Sequence, residues 1–183
     1  MKLYTKQGDD GFSCVASGEK LKKNENIFHI LGTLDEASCY LGLAKCKCLS
    51  ASLFGDLERV QKNLVFIMSG IAAQDNERYK ISESEISFLE EKTDFYYEKS
   101  KPKKTFEFVL PGTSELSSVL NIARCTARKA ERLMCSKSKG YTPCKQNLKY
   151  INRLSDFIFA AALYTDSETF KQDLEDKFEK RKF

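Results

Sequence analysis

The chain has 183 residues, 42% of them hydrophobic and 31% charged, with only 9 Gly and 3 Pro. That composition fits one soluble domain with a sizeable core and excludes a turn-rich all-β fold or long disordered linkers. The net charge of +4, from 30 basic against 26 acidic residues, is too small an excess to indicate nucleic acid, and no apolar run is long enough to span a membrane.

Residues 1–24 are polar, rich in Gly and Lys, and lack helical periodicity, which predicts an ordered loop, an extended arm or a frayed terminus. From about Asn26 the pattern turns helical, with Thr33 to Lys45 the clear part of a first helix. A second covers 52–74, where Leu57, Val60, Leu64, Ile67, Met68 and Ile71 recur at three- and four-residue spacing. Ser82 and Glu85 read as a capping box opening a third helix, which Pro102 ends near Ser100. The run Phe106 to Leu110 looks extended, and Pro111-Gly112 turns it. A fourth helix spans roughly 114–136 and a fifth 144–165. Helices of about 22 residues reach about 33 Å, the length of a bundle domain. After Thr165 the tail is strongly charged and reads as a solvated helix or disorder.

Seven cysteines, several inside helical patterns, read as reduced thiols rather than a disulfide frame. Cys46 and Cys48 lack the second pair or histidines that a zinc site needs, the only histidine being His29. No signal or transit segment precedes the first motif, so a cytoplasmic location is expected, or the mitochondrial matrix if a transit peptide was removed.

Three features carry charge that a plain bundle does not need. On the fourth helix, Leu116, Leu120, Ala123, Ala127, Ala130 and Met134 form one apolar stripe. Arg124, Arg128 and Glu131 line its shoulder, with Arg132 one step further round and Lys129 pointing elsewhere. Pattern alone favours surface ion pairs such as Arg128–Glu131, ahead of guanidinium forks that hold a polyphosphate. On the fifth helix, Asn152 and Asp156 share a face within an otherwise apolar segment, pairing with neighbours such as Arg153 or reaching a ligand. Near the start, Thr5 to Gly11 combines two glycines, Lys6 and a hydroxyl, which is either a surface turn or a phosphate cradle.

In chain order, YTKQGDDGFS from Tyr4, GTLDE from Gly32, FVLPG from Phe108, ARCTARKAER from Ala123 and YINRLSD from Tyr150 cover nearly the whole chain. Together they resemble the PduO-type ATP:cob(I)alamin adenosyltransferases. That resemblance implies an all-α, five-helix bundle with a ligand-wrapping N-terminal arm, assembled as a homotrimer with sites between subunits. One domain would span 1–183, as an ATP-binding arm (1–24), a helical bundle (25–166) and a charged tail (167–183). It also implies a reaction in which Co(I) attacks the 5′-carbon of ATP and expels triphosphate, leaving adenosylcobalamin.

By the same resemblance, Thr5, Lys6, Gln7, Gly8, Ser13, Cys14 and Lys23 of the arm serve ATP. Arg128, Lys129, Glu131 and Arg132 form the polyphosphate and Mg²⁺ region, with Glu131 the metal contact and Asn152 completing the nucleotide site. Asp35 pairs with Arg124 at the junction of the ATP and corrinoid pockets. Phe108 displaces the lower ligand of cobalamin, and Asp156 is a structural or site carboxylate. The implied partners are ATP, a corrinoid, an electron-supplying reductase and a client enzyme that uses adenosylcobalamin. Because Co(I) is the nucleophile, the chemistry needs no protein base, in keeping with a single histidine.

The sequence departs from the family pattern at several positions. Cys14 takes a Ser/Thr place, Lys129 an Arg, Thr113 a Gly and Asn121 a common His, while Asn24-Glu25-Asn26 stands where an acidic-x-Arg element is usual. Lys129 keeps charge without the fork, which predicts altered ATP affinity and retained activity. The rival readings are a non-catalytic adenosylcobalamin carrier or sensor on the same fold and a purely structural bundle.

Overall fold

The apolar spacing of the second helix becomes its buried face. In a computed structural model describing residue 6, residues 8–101 and residues 109–179, with side chains to residue 175, Leu57, Val60, Leu64 and Ile67 are fully buried. Thr5, Gln7 and the part of the extended run from Phe106 to Phe108 lie outside the described residues. The elements are a hairpin of β1 (Phe12–Cys14) and β2 (Lys20–Lys22), then α1 (Asn26–Lys47), α2 (Ala51–Ala73), α3 (Glu83–Lys99), α4 (Glu115–Met134), α5 (Lys145–Thr165) and α6 (Glu168–Glu179).

Helix α1 packs on both α2 and α4, α4 on α5, and α5 on α3. A polar seam joins α2 to α3. The Arg59 guanidinium grips Glu85 through two bonds of 2.9 and 2.8 Å, and Asp56 accepts from Tyr96 at 2.6 Å and pairs with Lys92 at 2.9 Å. The expected Ser82–Glu85 capping box does not form, because Glu85 is taken by Arg59 and Asn63 and the Ser82 hydroxyl bonds Ser84. A two-point bond to a guanidinium outcompetes a single backbone amide. The capping box belongs instead to α4, where Ser114 and Ser117 exchange side-chain and backbone bonds of 3.1 and 3.2 Å.

Asp56 is 9% exposed and depends on its two donors. Tyr96→Phe removes one and is expected to cost about 1–3 kcal/mol of stability, read as a lowered midpoint of denaturant unfolding. Burial, and then the Asp56 carboxylate, push the Tyr96 hydroxyl far above the usual phenol pKa, so it stays a donor at any working pH.

The polar N-terminal segment is an ordered arm. β1 pairs antiparallel with β2 in the register Ser13↔Leu21 and Cys14↔Lys20. Val15 and Leu21 are buried against the bundle, and Ser17 N–H reaches the Ala72 carbonyl at 3.2 Å. From Glu168 to Glu179 the charged tail is a docked helix rather than a solvated or disordered segment. Phe170 of α6 is buried edge-on against Tyr164, and Asp173 accepts from the Tyr164 hydroxyl at 2.6 Å and Lys99 at 3.0 Å. Phe170, with Leu174 packed beside it against the core, seats a helix that is otherwise mostly charged. No helix is long and apolar enough to cross a membrane among the described residues.

Candidate functional site

The capping box sets the register of α4, and the predicted stripe from Leu116 to Met134 is buried throughout. The shoulder therefore divides as its angle dictates: Arg124 and Glu131 are half-buried, while Arg128, Lys129 and Arg132 are exposed. Arg124 Nε donates to Asn121 Oδ1 at 3.1 Å, and its guanidinium lies 5.5 Å from the Phe159 ring centroid on α5. Asn121 is itself held by the Ser117 carbonyl at 3.0 Å. The residue that departs from the family pattern at 121 thus orients the shoulder's first arginine.

The ion pair favoured by pattern, Arg128–Glu131, does not form. Glu131 Oε1 accepts from Asn152 Nδ2 at 2.7 Å, and Arg128 has no side-chain partner among the described residues. Asn152 Oδ1 accepts from Arg153 at 2.9 Å, and Arg153 pairs with Glu90 of α3 at 2.8 Å. A guanidinium with no such partner, beside a braced carboxylate and amide, has donors free for an anion. Arg132 Nη1 turns back to the Arg128 carbonyl at 3.2 Å, and Lys129 sits 3.8 Å from Glu36 in an exposed pair. Such a pair is worth at most about 1 kcal/mol, so Lys129 is available to a ligand.

Asp35 is exposed on α1 and has no partner among the described residues; within one chain it does not meet Arg124. Asp156 is also exposed, so α5 is not buried all round and this carboxylate needs no internal partner. On the arm, Lys23 Nζ donates to the Gly8 carbonyl at 2.6 Å, bringing ammonium and glycine turn together. A Cβ at Gly8 would lie 2.9 Å from that nitrogen, so a side chain there would displace the lysine tip. Ser13 and Cys14 follow on β1, and Lys6 has a left-handed backbone, φ 61°. No hydrogen bond or ion pair among the described residues joins residues 6–23 to the α4 shoulder.

A cleft of about 550 Å³ runs along the outer side of α4, between Glu36 of α1 and the Pro111-Gly112 turn. Lys129 and Arg132 line it together with Ile122 and Cys125. Its volume suits a small-molecule ligand. The left-handed Gly112, φ 114°, lets the turn run beside α4, and Phe108 lies four residues earlier, outside the described residues. Sequence reasoning missed Glu36 and Glu90 here, and offered Arg153 only as one neighbour that Asn152 or Asp156 could pair with. Only the adjacency of Arg153 to Asn152 was a signal.

No group of three or more His, Cys, Asp or Glu able to hold a metal exists among the described residues. Magnesium that arrives on a polyphosphate needs only one or two protein carboxylates. The second oxygen of Glu131, unpartnered among the described residues, fits that need.

Fold and site define a helical-bundle protein with a basic shoulder beside a part-apolar cleft. The family model for cobalamin adenosyltransferase matches residues 3–165, and the chain belongs to that family. It is 36% identical to the corrinoid adenosyltransferase of Bacillus subtilis, over 96% of this chain and 92% of that one. It is 31% identical to the corrinoid adenosyltransferase PduO of Citrobacter freundii, over 99% of this chain but 55% of that longer protein. Among solved structures it resembles a variant PduO-type ATP:corrinoid adenosyltransferase from Lactobacillus reuteri complexed with cobalamin and ATP. The TM-score is 0.81 and the identity 32%, covering 96% of this chain and 93% of that one.

Proposed function

We propose that this chain transfers the 5′-deoxyadenosyl group of ATP to cob(I)alamin, giving adenosylcobalamin and triphosphate. The observation that carries this is Arg128, without a side-chain partner among the described residues, next to the braced Glu131–Asn152 pair, in a chain whose fold matches an ATP- and cobalamin-bound relative. Cobalt supplies the electron pair, the Co–C5′ bond forms, and the C5′–O bond breaks with its electrons leaving on triphosphate. Arg128, Lys129 and Arg132 stabilise the charge that gathers on that leaving group. Magnesium, held at Glu131, neutralises phosphate charge when bound. Lys6, Gly8, Ser13, Cys14 and Lys23, with Thr5 and Gln7, wrap the nucleotide. Phe108 lies against the corrinoid and excludes the lower axial ligand and water. Asp156 supports the same face of α5.

Among the described residues neither the exposed Asp35 nor the arm has a hydrogen bond or ion pair to the α4 shoulder, which supports a homotrimer in which a neighbour completes the site. There Asp35 of one subunit meets Arg124 of the next. Reduction of cob(II)alamin requires an electron-donating reductase, and the product requires a client that uses adenosylcobalamin. Seven free cysteines support a reducing, cytoplasmic setting.

The test is an anaerobic spectrum of the protein with cob(II)alamin, with and without ATP, followed by reduction. A four-coordinate Co(II) feature that needs ATP, then adenosylcobalamin, is expected. Product binding without ATP-dependent turnover would point instead to a carrier or sensor. Lys129→Arg restores a fork and is expected to lower the KM for ATP about two- to tenfold, measured by initial rates.

A further inference from the structure

The geometry points to Arg153 and Glu90 as positioning residues for ATP, acting through the side-chain amide of Asn152. This rests on the adenosyltransferase reading above. The two ends of an asparagine amide are nearly the same shape, and which end faces a ligand decides whether it donates or accepts. Here both ends have charged neighbours of opposite kind. Arg153 can only donate, so the atom 2.9 Å from its Nη1 is Oδ1. A carboxylate can only accept, so the atom 2.7 Å from Glu131 Oε1 is Nδ2. The amide is thus locked, with one N–H and one Glu131 oxygen left over for the nucleotide side.

Arg153 is in turn set from a third helix. Its Nε donates to Glu90 Oε1 of α3 at 2.8 Å, so α3, α5 and α4 are linked in one line of bonds ending at the site. The Arg153–Glu90 pair has side chains 40% and 44% exposed. An ion pair that open to water adds little stability. Its consequence is orientation: the planar fork uses one nitrogen on Glu90 and another on Asn152, which a lysine cannot reproduce. Without Arg153, Oδ1 loses its donor and the amide can turn. The Glu131 carboxylate then loses the brace that fixes the direction of its free oxygen on the nucleotide side.

The experiment compares initial rates against ATP concentration for the wild type, Arg153→Ala, Asn152→Ala and the double variant, with thermal melts of each. Arg153→Ala is expected to raise the KM for ATP roughly tenfold while kcat at saturating ATP falls much less. Arg153→Lys should not rescue it, and the double variant should match Asn152→Ala alone, since both act on one amide. An unchanged KM in Arg153→Ala, or effects that multiply in the double variant, would overturn the role. Should Arg153→Ala fail to fold, Arg153→Met keeps the aliphatic stem and is judged by the same two criteria. A wild type that makes no adenosylcobalamin overturns the function and this role together. An active wild type with an indifferent Arg153→Ala overturns the role alone.

Discussion

Replacing Arg128 with alanine is expected to raise the ATP requirement by about 10- to 100-fold, the cost of losing charge-assisted hydrogen bonds to phosphate. Turnover at saturating ATP should also fall, because negative charge grows on the triphosphate as the C5′–O bond breaks. A preorganised donor aimed at that charge contributes about 10²–10³ in rate in comparable sites. Stability is expected to stay within about 0.5 kcal/mol of wild type, since the side chain is exposed and has no partner among the described residues. That separation makes the result readable: a loss of activity with an unchanged melt is a loss of the site. Arg128→Lys, retaining charge without the fork, should fall between the two. A KM for ATP within twofold of wild type in Arg128→Ala would remove Arg128 from the polyphosphate site.

The second large effect is expected at Phe108. Three and four residues on, Pro111 and Gly112 line the cleft, and Leu110 between is 76% exposed, so an apolar edge is presented outward there. An aromatic ring placed against the corrinoid removes the lower axial donor and keeps water from replacing it. Without that donor, the cobalt orbital that takes up the incoming electron lies lower, and Co(II) is easier to reduce. Phe108→Ala leaves space for the ligand or for water. Turnover is expected to drop by about 10- to 1000-fold, the range that 1–5 kcal/mol of ground-state destabilisation supports. The ATP-dependent four-coordinate Co(II) spectrum should disappear, while the KM for ATP changes little. Normal turnover in Phe108→Ala would end that assignment.

These two residues show how unevenly the site was legible. The α4 stripe and its shoulder followed from 100° per residue, because burial is periodic and the sequence records the period. What Arg128 does there did not follow. A guanidinium one turn from a glutamate reads as a surface ion pair unless something else claims the glutamate. That competitor, Asn152, comes from another helix. The Ser82–Glu85 box failed for the same reason, Arg59 on α2 being the stronger partner for Glu85. The brace through Arg153 to Glu90 spans three helices and has no local pattern.

By itself, then, the sequence determined the helical class, the five bundle helices, the non-helical arm and, through five ordered motifs, the family. Each is set by local periodicity or by residue types in fixed order. Only the tertiary structure decided which polar side chains find partners. It left Arg128 and Asp35 without one among the described residues, turned Asp156 outward, docked α6 through Phe170, and locked the Asn152 amide. Polar pairing depends on distances between helices far apart in sequence, and charged groups choose the strongest donor or acceptor within reach.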